Sequence, residues 1–470
     1  MSESSTLEII HYDQAGNRTV QGRSQITHGP SQLTTWTGIG LLLFLDGALR
    51  HTVGVIVPNV PSPLIGMAIC VGSLVTLRYT GHEDSEKKVR KFFQPAVEFI
   101  THRYLVLFYS PALASLPLSV SKVEKSEDVA LSVLVVAIGC FLTTILTAHL
   151  VVLIRKYTAA SAAVPVSVIS PNITFDKSVV RAWISILMIS SLGVLWIELN
   201  SSNSTDGGLL FQSILVLLLY LSSTVVGYVL GMQYLPIKVR KWLHPMLICA
   251  MMPNIVAACL GGLTWEGYAV WITKYMPKNG QTSGHLLAGV TMGAGNLLFS
   301  MLGPIILSFG LKIAEHWDTL VRHRNEIIGS CACSALWTMV STAFLAGRIF
   351  KISPGVARAL VPRGSTLALA LPIASKLQAS VQITAAAVAL TGLIGGNFVQ
   401  YLLTLFKIED VIARGVTAAA VGHGLGCSAI GSNEQDALPF AALAYVLCGV
   451  FATFFSLFDF FVDLILEITG

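Results

Sequence analysis

The sequence predicts an all-α polytopic membrane protein of about 12 transmembrane helices, with discontinuous helices in its C-terminal half. Three observations predict it. Hydrophobic residues make up 54% of the 470 and charged residues 12%, where soluble domains carry about 25% charged; mean hydropathy is +0.71. Apolar stretches of about 20 residues, long enough to cross a bilayer core, recur along the chain. In the second half, polar residues, Gly and Pro interrupt such stretches, most sharply at Gly422-His423-Gly424-Leu425-Gly426-Cys427-Ser428 and at Pro362-Arg363-Gly364-Ser365-Thr366. Backbone without helical hydrogen bonds is tolerated at membrane depth only when buried in protein or lining a wet cavity, so these breaks mark where a polar solute is handled. They point to a transporter.

Taken in order, residues 1–35 are polar and Ser/Thr-rich, with Glu3, Glu8 and Asp13 set against Arg18 and Arg23. They read as a disordered cytosolic tail. The tail lacks an apolar signal-peptide core and the acid-poor, Arg-rich character of a transit peptide, so a plasma-membrane or endomembrane location is expected ahead of an organelle. Spans follow at 36–57 and 63–79, divided by the turn Pro58-Asn59-Val60-Pro61-Ser62-Pro63. After the charged stretch holding Arg78, Lys87, Lys88, Arg90 and Lys91 comes a segment at 93–120, whose Glu98, His102 and Arg103 suggest an interfacial entry. A fourth span at 128–154 is long enough to tilt. Residues 157–178, rich in Ala, Ser and Pro, read as an interdomain linker, and spans at 179–199 and 209–235 flank the loop 200–208. The expected units are therefore 36–154, a linker with two connecting helices over 155–242, and 243–470.

The loop at 200–208 has no Lys or Arg and carries the sequons Asn200-Ser201-Ser202 and Asn203-Ser204-Thr205, while Arg155, Lys156, Lys177, Arg181, Lys238, Arg240 and Lys241 lie in its neighbours. By the positive-inside rule the basic loops and the N-terminus are cytosolic, and Lys312, Arg322 and Arg324 fall on the same side. The net charge of +5 follows this loop pattern, with no basic stripe interleaved with aromatics, so no nucleic-acid partner is expected. The eight cysteines lie in apolar stretches without CxxC pairs and read as core residues, with no metal site and no cofactor.

From Leu243 onward the interruptions multiply: Pro253-Asn254, Gly293-Ala294-Gly295-Asn296, Leu302-Gly303-Pro304, the Pro362 segment, Gly392 to Asn397 and the His423 segment. Leu302-Gly303-Pro304 with the apolar run to Lys312, Thr391-Gly392-Leu393-Ile394-Gly395, Ile412-Ala413-Arg414-Gly415 and the Gly-rich His423 segment resemble the LrgB/CidB family. Pro63-Leu64-Ile65-Gly66-Met67 and Phe108-Tyr109-Ser110-Pro111-Ala112 resemble its smaller LrgA/CidA partner, and the fused order resembles the plastid glycolate/glycerate translocators and their non-plant eukaryotic relatives. Two stretches depart from the pattern. The family's Lys-Ser-Val-Thr-Thr-Pro signature stands here as Arg363-Gly364-Ser365-Thr366-Leu367-Ala368, its proline displaced to Pro372, and the proline expected after Gly303-Pro304 is replaced near Phe309-Gly310. Substrate selectivity can differ accordingly.

The resemblance implies small monocarboxylates as substrates: glycolate, glycerate, lactate or pyruvate. Such an anion needs a positive field and a few hydrogen-bond donors at the midplane, which opposed half-helix N-termini supply. Arg363 offers a planar fork for the carboxylate. Ser365, Thr366 and Ser428 are placed to read the hydroxyl, and Asn296 and Asn397 to complete the lining. Arg363 has a second reading, snorkelling beside Arg358. His423 also has two: carrier of a coupled proton, or a neutral ring bonded to an unwound carbonyl. Asp46 with Arg50 one turn on reads as an intrahelical ion pair, Asp459, Asp463 and Glu467 as one polar helix face, and Arg414 as ordinary loop charge.

Three function classes are distinguished. The first is a secondary transporter of small monocarboxylates working by alternating access, with the LrgA-like part as scaffold, the LrgB-like part as transport domain and a homodimer allowed. The second is the holin-like or pore-modulating activity after which the bacterial relatives are named; broken helices with an intramembrane His and Arg favour an occluded site over it. The third, a membrane enzyme, is set aside because metal-ligand spacing, nucleotide loop and nucleophile elbow are all missing.

Overall fold

In the computed structural model the described residues are 7–12, 18–24, 32–56, 61–121, 123, 125–158, 175–200, 206–236, 239, 243, 245–277 and 292–470. Most of the expected linker, the turn at 57–60, the loop 201–205 and the basic residues at 238 and 240–241 lie outside them. The membrane part is all α-helical, and nine helices among the described residues are long and apolar enough to cross a bilayer. Ahead of it, strands β1 (Leu7–Tyr12) and β2 (Arg18–Ser24) pair antiparallel within the N-terminal tail.

The first helices are α1 (Gln32–Ile56) and α2 (Ser62–Tyr79), the second opening on Pro63 in its first turn. Pro tolerates that position because the first N–H groups of a helix have no partner to lose. The segment expected as one span at 93–120 is instead broken into α3 (Glu83–Glu98), a wide turn at Phe99–Arg103, α4 (Leu105–Ala114) and α5 (Leu116–Val120). Pro95, Pro111 and Pro117 each remove a backbone donor along this stretch, which is enough to stop a helix from running straight through. α6 (Ser126–Thr158) is unbroken and the longest helix among the described residues.

α7 (Lys177–Asn200) and α8 (Asp206–Val229) follow, and α7 turns Met188, Ile189, Leu192, Trp196 and Leu199 outward. A run of large apolar side chains with no protein cover belongs against lipid. After α9 (Pro245–Leu263), α10 (Tyr268–Tyr275) and α11 (Ala294–Phe299) come α12 (Leu302–Glu315), α13 (Trp317–Arg322) and α14 (Arg324–Phe344). The last six are α15 (Pro354–Leu360), α16 (Leu367–Lys376), α17 (Val381–Leu405), α18 (Val411–Asn433), α19 (Leu438–Phe455) and α20 (Asp459–Thr469).

Two of these segments do not cross. In a straight helix Arg414 and Glu434 would stand about 30 Å apart at 1.5 Å per residue, yet Arg414 Nε lies 2.5 Å from Glu434 Oε2. A Cβ added to Gly426 would fall 1.9 Å from the carbonyl oxygen of Ala418. α18 therefore folds back at His423 into two antiparallel arms. Each arm is roughly 16 Å long, about half of a ~30 Å hydrocarbon core, which sets the tip near mid-depth. The chain from α15 to α16 makes another hairpin, the first of the two in chain order. Ser353 N–H donates to Asp128 Oδ2 near the start of α6 at 3.1 Å, and Thr384, in the first turn of α17, donates to the Ala359 carbonyl at 2.9 Å. Entry and exit of this hairpin thus share the face where α6 begins. Arg155, near the other end of α6, meets Asp410 at the base of the α18 hairpin, so the two hairpins enter from opposite faces.

Candidate functional site

Pro362 and Gly364 give the first hairpin its tip. α15 tightens into a single turn at Val361–Gly364, and Ser365 and Thr366 are extended (ψ 160 and 147) before α16 restarts at Leu367. Gly364 is needed for clearance, since a Cβ there would lie 2.4 Å from Thr338 Cγ2. At the second tip His423 has φ 48 and ψ −132, a region that a side chain enters at a cost of order 1–3 kcal/mol and that only surrounding packing sustains. Gly422 supplies that packing: a Cβ on Gly395 of α17 would sit 2.4 Å from the Gly422 Cα, so the two backbones touch.

The tips meet. His423 Nε2 is 2.8 Å from the carbonyl oxygen of Arg363; because a carbonyl only accepts, Nε2 carries the hydrogen and donates. This bond satisfies one of the carbonyls that a broken helix leaves unpaired. Each tip joins the C-terminal end of one arm to the N-terminal end of the next, so the arm dipoles oppose one another across it. The dipole field expected from the sequence is thereby reduced, and the net charge at the meeting point is that of Arg363.

Arg363 is 1% exposed, so it does not snorkel. Its Nε donates to Thr342 Oγ1 of α14 at 2.9 Å and its Nη1 to Cys140 Sγ of α6 at 3.7 Å. Nη2 has no hydrogen-bond partner, and among the described residues no carboxylate pairs with this guanidinium. Guanidinium stays charged in proteins, and burying an ion without a counter-charge costs several kcal/mol. Next to it in the chain, the hydroxyls of Ser365 and Thr366 are buried and likewise have no partner; the buried hydroxyl of Thr417, on the entering arm of the second hairpin, has none either.

Arg363, Ser365, Thr366 and His423 are thus placed at the tips, and three other predicted residues are not. Asn296 on α11 is 5% exposed and donates to the Pro277 carbonyl at 3.3 Å, with its Oδ1 unpartnered. Asn397 turns back on its own helix, donating to Leu393 O at 2.9 Å. Ser428 is exposed on the leaving arm of the second hairpin. Sequence reasoning missed Gly139, Cys140 and Thr342. A signal existed for Thr342: Ser330, Ser334, Thr338 and Thr342 recur every fourth residue, all buried on one face of α14. Their partners come from α6, with Thr143 Oγ1 3.3 Å from Thr338 Oγ1 and Thr147 Oγ1 2.9 Å from Ser334 Oγ. No cluster of His, Cys, Asp and Glu among the described residues is arranged to hold a metal ion.

Away from the tips, Asp46 is the ion-pair partner of Arg50 at 2.8 Å, as its spacing predicts. Arg414 differs from the sequence expectation. It is a structural clamp that holds Glu434 with two bonds of 2.5 Å and the Ile408 carbonyl at 2.8 Å.

Residues 224–460 match the family model described as the LrgB-like family. The plastidal glycolate/glycerate translocator 1, chloroplastic, of Arabidopsis thaliana is 33% identical over 418 residues, 88% of this chain and 77% of that protein. The uncharacterized protein YwbG of Bacillus subtilis (strain 168) is 31% identical over 134 residues, 28% of this chain and 59% of that protein. No solved structure gives a significant match.

Proposed function

Because the chain belongs to the LrgB-like family and is a multi-pass membrane transporter, we propose that it carries small monocarboxylates of the glycolate/glycerate or lactate/pyruvate type by alternating access, in symport with protons. The observation that carries this reading is Arg363. A guanidinium 1% exposed, with one NH2 group unpartnered and, among the described residues, no carboxylate beside it, is half of an ion pair. A substrate carboxylate is the other half, accepting from Nη2 and a second N–H of the same fork. Ser365 and Thr366, two and three residues on from Arg363, hold unpartnered hydroxyls for the 2-hydroxy or 2-oxo group.

The pairing also favours movement. Bound substrate and Arg363 form a neutral unit, which crosses the middle of a bilayer at far less cost than either ion alone. His423 joins the two hairpins through Nε2, leaving Nδ1 as the ring position assigned to the coupled proton. The name of the plant relative supports the glycolate/glycerate end of the substrate range.

The test is uptake of labelled glycolate, glycerate, lactate and pyruvate into liposomes holding the purified protein, with and without an inward proton gradient. Saturable, mutually competed uptake that is lost in Arg363→Ala is expected, together with gradient dependence lost in His423→Ala. Leak of solutes of unrelated charge and size, indifferent to both substitutions, would replace the carrier by a pore.

A further inference from the structure

α6 lies outside the residues 224–460 that the family model matches, yet it covers the guanidinium. A Cβ on Gly139 would stand 2.2 Å from Arg363 Nη2, so this group rests directly on the α6 backbone. Cys140, the next residue, takes Nη1 at 3.7 Å. The edge of the fork that a carboxylate must reach is therefore sealed, and it opens only when α6 and the first hairpin tip separate.

The rest of α6 is built for such a separation. Near one end Asp128, 2% exposed, accepts the Ser353 N–H just ahead of the first hairpin at 3.1 Å. Near the other end Arg155 Nη1 lies 2.5 Å from Oδ2 of Asp410, the residue that caps the second hairpin by accepting the Ala413 N–H at 2.8 Å. Between them the contacts to α14 include the hydroxyl pairs Thr143–Thr338 and Thr147–Ser334. Interhelical hydroxyl bonds of this kind each contribute little, because separated hydroxyls find other partners.

We infer that α6 is the gate helix of the carboxylate site: it closes the site by laying Gly139 on Arg363, and its contacts Asp128–Ser353 and Arg155–Asp410 are the gates at the two faces. This rests on the carboxylate-carrier reading for its biological meaning. Releasing Arg155 from Asp410 opens the site towards the Arg155 face while Asp128 still holds the other, and the reverse release opens the opposite face. The N-terminal half is then part of the carrier and more than a scaffold.

The test uses the full-length protein carrying Ser365→Cys, at the first hairpin tip, in right-side-out and inside-out vesicles, labelled with a membrane-impermeant maleimide and read against the same protein without that cysteine. Arg155→Gln is expected to raise labelling from the Arg155 face alone, and Asp128→Ala from the Asp128 face alone. A rise of about fivefold is what loss of a latch worth about 1 kcal/mol gives. The conservative Arg155→Lys, which keeps the ion pair with Asp410 and leaves its helix cap intact, is expected to return labelling to the parent level, which separates latch loss from misfolding. Unchanged labelling in both Arg155→Gln and Asp128→Ala, or a rise at the same face in both, overturns the inference. Glycolate protection of the thiol is scored separately. Latch-dependent labelling that ignores glycolate would keep the gate and remove the carboxylate reading, whereas glycolate protection without latch dependence would do the opposite.

Discussion

His423 Nε2 donates to the Arg363 carbonyl at 2.8 Å, a single hydrogen bond that joins two helical hairpins entering from opposite faces. One partner is a backbone carbonyl and the other a ring held at φ 48, so the contact records both chain breaks at once. It also places the unpaired guanidinium of Arg363 at the junction.

Arg363→Met is expected to abolish carboxylate uptake without lowering the thermal stability of the purified protein. A buried charge with no ionic partner contributes nothing to folding that a similar apolar side chain would not replace. Arg363→Lys keeps the charge but loses the planar fork, and the apparent KM is expected to rise about tenfold or more. A melting curve beside an uptake curve checks both statements; a large fall in Tm for the Met variant would make Arg363 structural.

His423→Gly and His423→Ala both delete the bond to Arg363, yet only Ala carries a Cβ that makes the positive φ of this position costly. Ala is expected to be the less stable by about 1–3 kcal/mol. Equal melting temperatures would mean that the turn is not strained.

The fold-back of α18 is checked by cross-linking. Arg414→Cys with Glu434→Cys is expected to be joined by a short bifunctional maleimide, because the native side chains meet tip to tip at 2.5 Å, where a continuous helix would hold them about 30 Å apart. Absence of that cross-link would leave α18 as a bent span.

Gly395→Ala is expected to cost several kcal/mol or to prevent folding, since its Cβ would stand 2.4 Å from the Gly422 Cα. Gly262→Ala, on α9 with nothing within 4 Å of the new Cβ, is expected to be neutral or stabilising by up to about 1 kcal/mol. Thermal melts of the two variants in detergent make the comparison.

His323 lies just ahead of α14, 1% exposed, edge-on to Phe440 at a centroid distance of 5.4 Å and with Nδ1 unpartnered. Burial holds its pKa below the ordinary value; Glu326 and Asp410 oppose this, while Arg155 and Arg322 add to it. The folded state therefore binds this proton less readily than the unfolded chain does. Its contribution is complete above the unfolded value of about 6.5 and is lost as pH falls through it, by up to about 1.4 kcal/mol per pH unit. Melting temperature measured from pH 7.5 downward is expected to fall less steeply in His323→Gln than in the parent.

By itself the sequence determined the membrane class, because some twenty apolar residues in a row leave a chain no other stable environment. It also determined where the helices break, since Pro362, Gly364 and the glycines around His423 act on their own backbone. That Arg363, Ser365, Thr366 and His423 stand at those breaks was legible for the same local reason. What the breaks become was not legible. α18 reads as an interrupted span, and only the touch of Gly395 on Gly422 and the clamp of Arg414 on Glu434 turn it into a hairpin. Asn397 looked available until its own helix offered a carbonyl, and Ser428 until the leaving arm turned it outward. The role of α6 left no local mark at all, because Gly139 meets Arg363 across more than two hundred residues of chain. Periodicity and turn chemistry act over a few residues, whereas a gate, a counter-charge and a shared tip are relations between distant segments that exist only once those segments have packed.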